Sequence, residues 1–508
     1  MAIVERINEH QALLKNPATN EDLYTLDFAD KAAVDKAVSL ARQAQKSWGQ
    51  LSVAQRVEHL LALRDLIIEK REWIIETIVA ETGKVKIDAL AIDVFPVCAM
   101  ISYWCKQATK TLRPEVKRAS GILGFLKKVH IFYKPLGVVG VISPWNGPFV
   151  LTASPCIQAM LAGNTVVAKG SEVTPMSAKI FETLCLEAGL PEGVCQVLIG
   201  DGAAGAALTQ ANVDKISFTG SVATGKRVGV ACAQRLIPCA LELGGNDAMI
   251  VCDDANLDHA AHGAVWGSFI NTGHYCCGIE RVYVEAPVYD AFVSKVTAIV
   301  NALKQGAEHD YQQDVGAVFW DKQLALIESH VTQAIEKGAK VLVGGKAKPG
   351  NGLYFQPTVM TELDETCDLM TQETFGPILP IVKVNNAKEA LEKANDSEFG
   401  LHGSIWTQDK AKALAMAQCF ESGSVSINDI GIVFGISNVP FGGIKNSGLG
   451  KVHGEFGLRN YTNAMPVAIG RYTGLNSGYP HDEKKYNNVV NLINFMWKNP
   501  VGRFFFGP

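Results

Sequence analysis

From Pro135 onward the chain alternates short β-branched runs with helical stretches, and that alternation constrains the fold more than any other feature. The runs at 137–142, 165–168, 195–199 and 215–218 are too short for helices and are separated by segments long enough to be helices. Strand, helix and strand in repetition imply a parallel sheet covered on both faces. A second alternating region extends from about Ala248 to Ser447, with 281–284 and 380–384 as buried strands. Upstream, Ser52 with Gln55 three residues on reads as a capping box, followed by Val57, Leu60, Leu63 and Ile67 at helical spacing. The first hundred residues are therefore expected to be mainly helical. The mixed composition of 111–133 suits an excursion that leaves the domain and returns, and there is no internal repeat or low-complexity segment.

A chain of 508 residues with 48% hydrophobic content can bury several cores, in about three compact units. Its 47 basic and 51 acidic residues leave a net charge of -4, which gives no electrostatic footprint for nucleic acid. Glu5, Arg6, Glu9, His10 and Lys15 interrupt the apolar residues of the first thirty positions, so no signal peptide or membrane span is expected there. The expected location is the cytoplasm. Twelve cysteines without a C-x-x-C pair or a Cys/His cluster argue against a disulfide framework and against a zinc site.

Five segments carry residues able to do chemistry. In 143–148, Ser-Pro-Trp-Asn-Gly-Pro, a strand ends and a helix opens; Asn146 either caps that helix or supplies an amide donor to an oxyanion. In 165–172 a buried strand ends in Lys169 and Glu172, at the edge where open α/β sheets bind ligands. Glu172 could accept both hydroxyls of an adenosine ribose and would repel a 2′-phosphate; the alternative is a solvated loop charge. The run Thr219-Gly-Ser-Val-Ala-Thr-Gly225 lets a backbone approach a pyrophosphate but lacks G-x-G-x-x-G, so a plain glycine-rich turn competes. In Leu241-Glu-Leu-Gly-Gly245, apolar neighbours would raise the pKa of Glu242 towards that of a general base, or Glu242 is a paired structural carboxylate. The adjacent Cys276 and Cys277 cannot easily share one metal, leaving an activated thiol or a bland buried pair.

The order and spacing of these segments resemble the aldehyde dehydrogenase superfamily, from about Asn20 to Tyr472. The matching motifs are P-W-N at 144–146, A-K-G-S-E at 168–172, F-T-G-S-V-A-T-G at 218–225, L-E-L-G-G at 241–245, G-H-Y-C at 273–276, E-T-F-G-P at 373–377 and P-F-G-G at 440–443. The resemblance implies an α/β fold: a Rossmann-like cofactor domain (1–113 and 136–245), an α/β catalytic domain (246–458) and a small β oligomerisation element (114–135 and 459–473). A C-terminal extension (474–508) follows.

It also implies that Cys276 is the nucleophile, Glu242 the general base and Asn146 the oxyanion-holding amide. Lys169 and Glu172 would meet the adenosine ribose of NAD, in preference to NADP, and Gly220 and Ser221 the pyrophosphate. Glu373 and Phe375 would hold the nicotinamide end. Ile142, Ser143, Pro144, Trp145, Ser171, Gly202, Phe218 and Leu243 would complete the cofactor site. His274 stands where the family has glutamine. The presence of Glu242 speaks for the hydrolytic branch over the coenzyme A-acylating one, and a homodimer or homotetramer is expected.

Gly147, Val150, Leu151 and Ser154 fall on one helical face that should line the substrate funnel, or is simply core. Phe441, with Ile430, Ile432, Val433 and Phe434, would form the opposite mouth, and Tyr275 lies beside the nucleophile. No arginine occurs in these segments, so the expected substrate is an apolar, medium or long aldehyde. A small polar aldehyde or semialdehyde, or a thiol esterase without nucleotide, is the alternative. Val489, Leu492, Ile493, Met496 and Trp497 form a stripe that should pack on its own protein; otherwise it could cover a neighbouring subunit's funnel or touch a membrane surface.

Overall fold

The computed structural model describes residues 2–120, 123–307, 311–471 and 479–506; the ends of the expected oligomerisation segment (472–473) and parts of the extension (474–478, 507–508) lie outside the described residues. The chain divides into two compact units, Met1–Thr109 with Pro135–Tyr461, and Lys110–Lys134 with Thr462–Pro508.

The first unit holds two large sheets. One has six strands in the order Gly448–Leu449, Cys239–Glu242, Lys215–Thr219, Val138–Ile142, Thr165–Lys169 and Cys195–Leu198. All neighbours are parallel except the first pair. Val138–Ile142 comes first in sequence among the parallel strands yet lies in the middle, so successive connections diverge on either side of it. Such a switch point opens a crevice at the carboxyl ends of the strands. The stretches 142–146 and 218–221 leave the sheet on that edge.

The second sheet has seven strands, ordered Lys340–Val343, Thr358–Thr361, Ile378–Val384, Ile279–Glu285, Asp247–Val251, His402–Trp406 and Ser424–Ile427. The strands expected at 281–284 and 380–384 lie inside it. Asp247–Val251 and His402–Trp406 are buried along their whole length, as a sheet with helices on both faces requires.

The capping box at Ser52 and Gln55 forms as read and starts the helix Val53–Glu69, which buries Leu60, Leu63 and Ile67. The N-terminus differs from expectation. Val4–Arg6, Gln11–Lys15 and Asp22–Asp27 form an antiparallel meander. Ile3, Leu14 and Leu26 enter the same core as Ile250, Tyr283 and Phe355, so this part of 1–113 packs with the second sheet. Charged residues at the strand ends hid the pattern.

The helical run Lys86–Leu112 is long and apolar enough to cross a membrane by composition. It buries Asp93, Val97, Met100, Ile101 and Trp104, which is the behaviour of a core helix.

In the second unit, Thr462–Gly470, Lys127–Pro135 and Glu115–Arg118 form a three-stranded sheet from the segments read as a small β element. The helix Glu483–Trp497 forms, but its apolar stripe does not pack as expected. Met496 is buried, whereas Val489, Ile493 and Trp497 are exposed.

Candidate active site

The helix Leu257–Phe269 ends in a sharp turn in which Asn271 and Thr272 take left-handed conformations. Gly273 follows at φ 78°, where a Cβ would collide with the carbonyl of Gly376. Only glycine fits there. The turn is tied to the segment after Val138–Ile142: Asn271 Nδ2 donates to the carbonyls of Asn146 (2.9 Å) and His274 (2.8 Å), and Asn146 Nδ2 donates to His274 O at 3.1 Å. One of the two amide protons of Asn146 is thereby used, and the other remains for a ligand.

Beneath them lies a buried ion pair with no trace in the motifs. Lys84 Nζ meets Asp93 Oδ2 at 2.9 Å, both side chains being fully buried, and also donates to Asn146 O at 3.1 Å. Asp93 Oδ1 accepts from the backbone N–H of Phe149 (3.1 Å) and Val150 (3.2 Å), capping the helix Val150–Leu161 from outside. The helix therefore starts later than Pro148 suggested, and Gly147 precedes it. Asp88 accepts from Asn271 N at 2.9 Å, and burial pushes its carboxyl up to about 6. Neither reading of Asn146 was complete: its backbone is clamped by distant residues, and its amide faces a cleft.

Cys276 is half-buried and lies between two cavities. The larger, about 250 Å³, is lined by Pro144, Trp145, Asn146, Gly220, Ser221, Leu243, Glu373 and Phe375 among others. The smaller, about 40 Å³, is lined by Leu151, Ser154, Pro155, Gln158, Leu401, Phe434, Phe441, Val452 and His453 among others. Cys276 and Glu242 line both, along with Leu151, Thr219 and Leu243.

The Sγ atoms of Cys276 and Cys277 are 3.9 Å apart. Cys277 is buried, and its thiol is pushed well up, first by its hydrogen bond with Cys276 and then by burial, so it stays protonated. Neither carboxylate oxygen of Glu242 has a hydrogen-bond partner among the described residues. Burial, then the nearness of Cys276, raises its pKa well above the usual range, and Lys451 opposes this. An unpaired buried carboxylate is costly as structure, which removes the reading of Glu242 as a paired structural group.

On the larger side, Gly245 N–H donates to Glu373 Oε1 at 3.0 Å, and a Cβ at Gly244 would overlap the Glu373 carboxylate. Burial lifts Glu373 to about 7. Glu280, which no motif singled out, accepts from the backbone N–H of Thr374 and Phe375 at 2.7 Å each and fixes the loop carrying Phe375. Ser221 caps the helix Val222–Arg235, whose N-terminus suits an anion. Lys169 Nζ and Glu172 Oε2 lie 3.5 Å apart, and Asp201, the N-cap of the helix opening at Gly202, contributes to the field at Lys169. The cleft, the helix terminus and this charged pair fit an extended dinucleotide.

Other expected cofactor residues play supporting parts. Ser143 Oγ is engaged with Thr152 Oγ1 at 2.6 Å, Ser171 Oγ accepts from Val173 N, and Ile142 and Phe218 are buried strand residues.

His274 is fully buried, with its ring near those of Phe319 (4.3 Å), Trp145 (5.0 Å) and Phe375 (5.8 Å). Burial holds its pKa down at about 3, so the ring is neutral.

The substrate face needs correction. Leu151, Ser154 and Phe441 line the smaller cavity, but Gly147, Val150 and Tyr275 do not. Tyr275 spends its hydroxyl on Gly431 O at 2.9 Å, and Val150 sits in the core. Phe434 lines the cavity, Val433 packs behind it and Ile430 belongs to the core of the second sheet; the side chain of Ile432 lies outside the described residues. The lining residues missed include Pro155, Ser217, Leu401 and Val452 and two polar ones that matter below, Gln158 and His453. His453 is held at φ 65°, ψ 171°, a region nearly reserved for glycine that costs about 1–3 kcal/mol.

A model of the aldehyde dehydrogenase family matches residues 4–467. A Mycobacterium ulcerans protein provisionally named succinate-semialdehyde dehydrogenase [NADP(+)] 2 is 38% identical over 459 residues, covering 90% of this chain and 88% of the relative. The 4,4′-diapolycopene aldehyde oxidase of a Methylomonas species is 36% identical over 470 residues, covering 92% and 87%. The NAD+ complex of an aldehyde dehydrogenase from Bacillus cereus superposes with a TM-score of 0.87 at 31% identity, covering 93% of this chain and 97% of that one. The chain belongs to the aldehyde dehydrogenase family, whose members use a nicotinamide dinucleotide and act on aldehydes.

Proposed function

We propose that the protein oxidises an apolar aldehyde to the carboxylic acid with NAD, through a thioester on Cys276. The observation that carries this reading is the shared position of Cys276 and Glu242, which face both the cofactor-shaped cleft and the narrow cavity.

Cys276, as thiolate, attacks the carbonyl carbon of an aldehyde lying in the narrow cavity. The free amide proton of Asn146 and the backbone N–H of Cys276 hold the oxyanion that forms; donors already oriented need no reorganisation as charge develops. NAD, which the cleft lined by Trp145, Ser221, Glu373 and Phe375 would hold, would supply the hydride acceptor, and loss of the hydride from the Cys276 adduct gives the thioester. Glu242, raised in pKa yet free of partners, takes a proton from water, and the resulting hydroxide attacks the thioester carbon and releases the acid. Glu172 favours NAD, because a carboxylate accepts the ribose hydroxyls and repels a 2′-phosphate. We infer a cytoplasmic homo-oligomer, dimer or tetramer.

Glu242→Gln should give a burst of NADH near one equivalent and then stall, and the burst should be faster with NAD than with NADP. A steady-state rate equal to that of the parent would falsify the role of Glu242.

The name of the mycobacterial relative favours a second reading, succinic semialdehyde with NADP. Against it, neither lysine nor arginine is among the residues lining the narrow cavity, and the nearby Lys451 already faces Glu242, so a distal carboxylate would be buried without a cation of its own. Rates on an alkanal series should exceed those on succinic semialdehyde; the reverse order sinks the apolar assignment.

A further inference from the structure

We infer that His453 and Gln158 form a hydroxyl-recognition point in the narrow cavity, so that the preferred substrate is an apolar aldehyde carrying a hydroxyl group. This rests on the reading that aldehydes are oxidised at Cys276 and adds the chemistry of the rest of the substrate.

Gln158 and His453 are 1% and 0% exposed, and both line the cavity that holds Cys276. Gln158 Nε2 donates to the Ser154 carbonyl at 3.4 Å, which fixes the other end of the amide as oxygen. That oxygen is buried without a partner among the described residues, and so are both ring nitrogens of His453. Buried polar atoms are nearly always paired, and unpaired ones concentrate where a ligand completes them.

The two side chains come from separate elements, the helix Val150–Leu161 and the turn before Gly454–Arg459. His453 is not free to turn away. Its carbonyl accepts from Gly457 N at 2.7 Å, and its ring lies against those of Phe434 (5.0 Å), Trp104 (5.7 Å) and Phe441 (6.0 Å).

The donor and acceptor pattern selects the ligand. Burial holds the His453 pKa down at about 4, so near neutral pH its imidazole is uncharged, with one N–H donor and one acceptor nitrogen. Gln158 adds a carbonyl acceptor. A hydroxyl, which both donates and accepts, can give its proton to Gln158 Oε1 and accept from the His453 N–H. A carboxylate would meet the amide oxygen and the Glu242 carboxylate, and the one nearby cation, Lys451, acts on Glu242 and is not among the lining residues. A methyl group would leave every polar atom unpaired. Phe434, Phe441, Leu151 and Leu401 provide the apolar wall for the remainder.

The test compares kcat/KM within pairs that differ by one hydroxyl: short and medium alkanals against their ω-hydroxy forms, and benzaldehyde against its 3- and 4-hydroxy forms. At least one hydroxylated member should be favoured about tenfold or more in the parent enzyme. The ratio should fall towards one in His453→Phe and in Gln158→Leu. Because each ratio is internal to one protein, a loss of folded enzyme does not imitate the result. Ratios near one for every pair in the parent, or a preference that survives both substitutions, overturn the inference while leaving aldehyde oxidation intact. No NADH from any aldehyde overturns both.

Discussion

The two sides of Cys276 are built on different principles. The cofactor side is open, about 250 Å³, and its walls are the ends of parallel strands, a helix terminus and loops whose backbone is fixed by Glu280 and Glu373. The acyl side is narrow, about 40 Å³, and its walls are side chains drawn from distant segments, including 151–158, 401, 434–441 and 452–453. A dinucleotide common to the whole family can be met by backbone geometry that a few motifs specify. A particular aldehyde has to be met by side chains, and these are free to differ.

The largest test of this division removes the sulfur both sides share. Cys276→Ala should lower NADH formation by about a thousandfold or more, as losing a nucleophile does elsewhere. NAD should still quench tryptophan fluorescence in that variant, through Trp145 in the cofactor cleft. Cys277→Ala should keep turnover within the same order of magnitude. Equal losses in the two variants would break the assignment of the nucleophile.

The next effect concerns the buried ion pair that holds the backbone of Asn146. Lys84→Met leaves Asp93 buried without its cation and takes one of the two donors from Asn146 O, and it should lower unfolding free energy by about 3–5 kcal/mol. Denaturant melts would show it, with a fall in kcat alongside. A variant as stable as the parent would mean that the clamp is dispensable.

The smallest effect sharpens the cofactor side. His274 has a native pKa of about 3, below its ordinary 6.5. Between those values the unfolded chain binds a proton that the native chain refuses, so this residue withdraws stability as pH falls through 6.5. His274→Gln, restoring the family residue, should therefore lose roughly 2 kcal/mol less than the parent on acidification to pH 5. Parallel pH–stability curves would show that the ring protonates freely in the native state.

The two sides also differ in how far they could be read beforehand. Asn146, Glu242 and Cys276, far apart in sequence, converge on one cleft; each was singled out by its local motif, and the strand end before Asn146 was legible as well. Gly220 and Ser221 follow the strand read at 215–218, whereas Glu373 and Phe375 came from the family motif at 373–377 alone. On the acyl side Leu151, Ser154 and Phe441 were found, whereas Gly147, Val150 and Tyr275 point elsewhere and Gln158 and His453 went unnoticed. The helix phase slipped because its cap, Asp93, lies 56 residues away from Phe149. Tyr275 left the cavity because its hydroxyl found the carbonyl of Gly431.

Local pattern alone determined the alternation of strand and helix, the parallel sheets and the reactive groups at strand ends, because periodicity and turn chemistry act over a few residues. Tertiary structure decided which buried groups meet, Lys84 with Asp93 and Glu280 with the loop at 374–375, and which residues share the narrow cavity, His453 and Gln158 among them. Those pairings depend on three-dimensional packing and on whether a buried polar atom finds a partner, and neither is encoded in the spacing of residues along the chain.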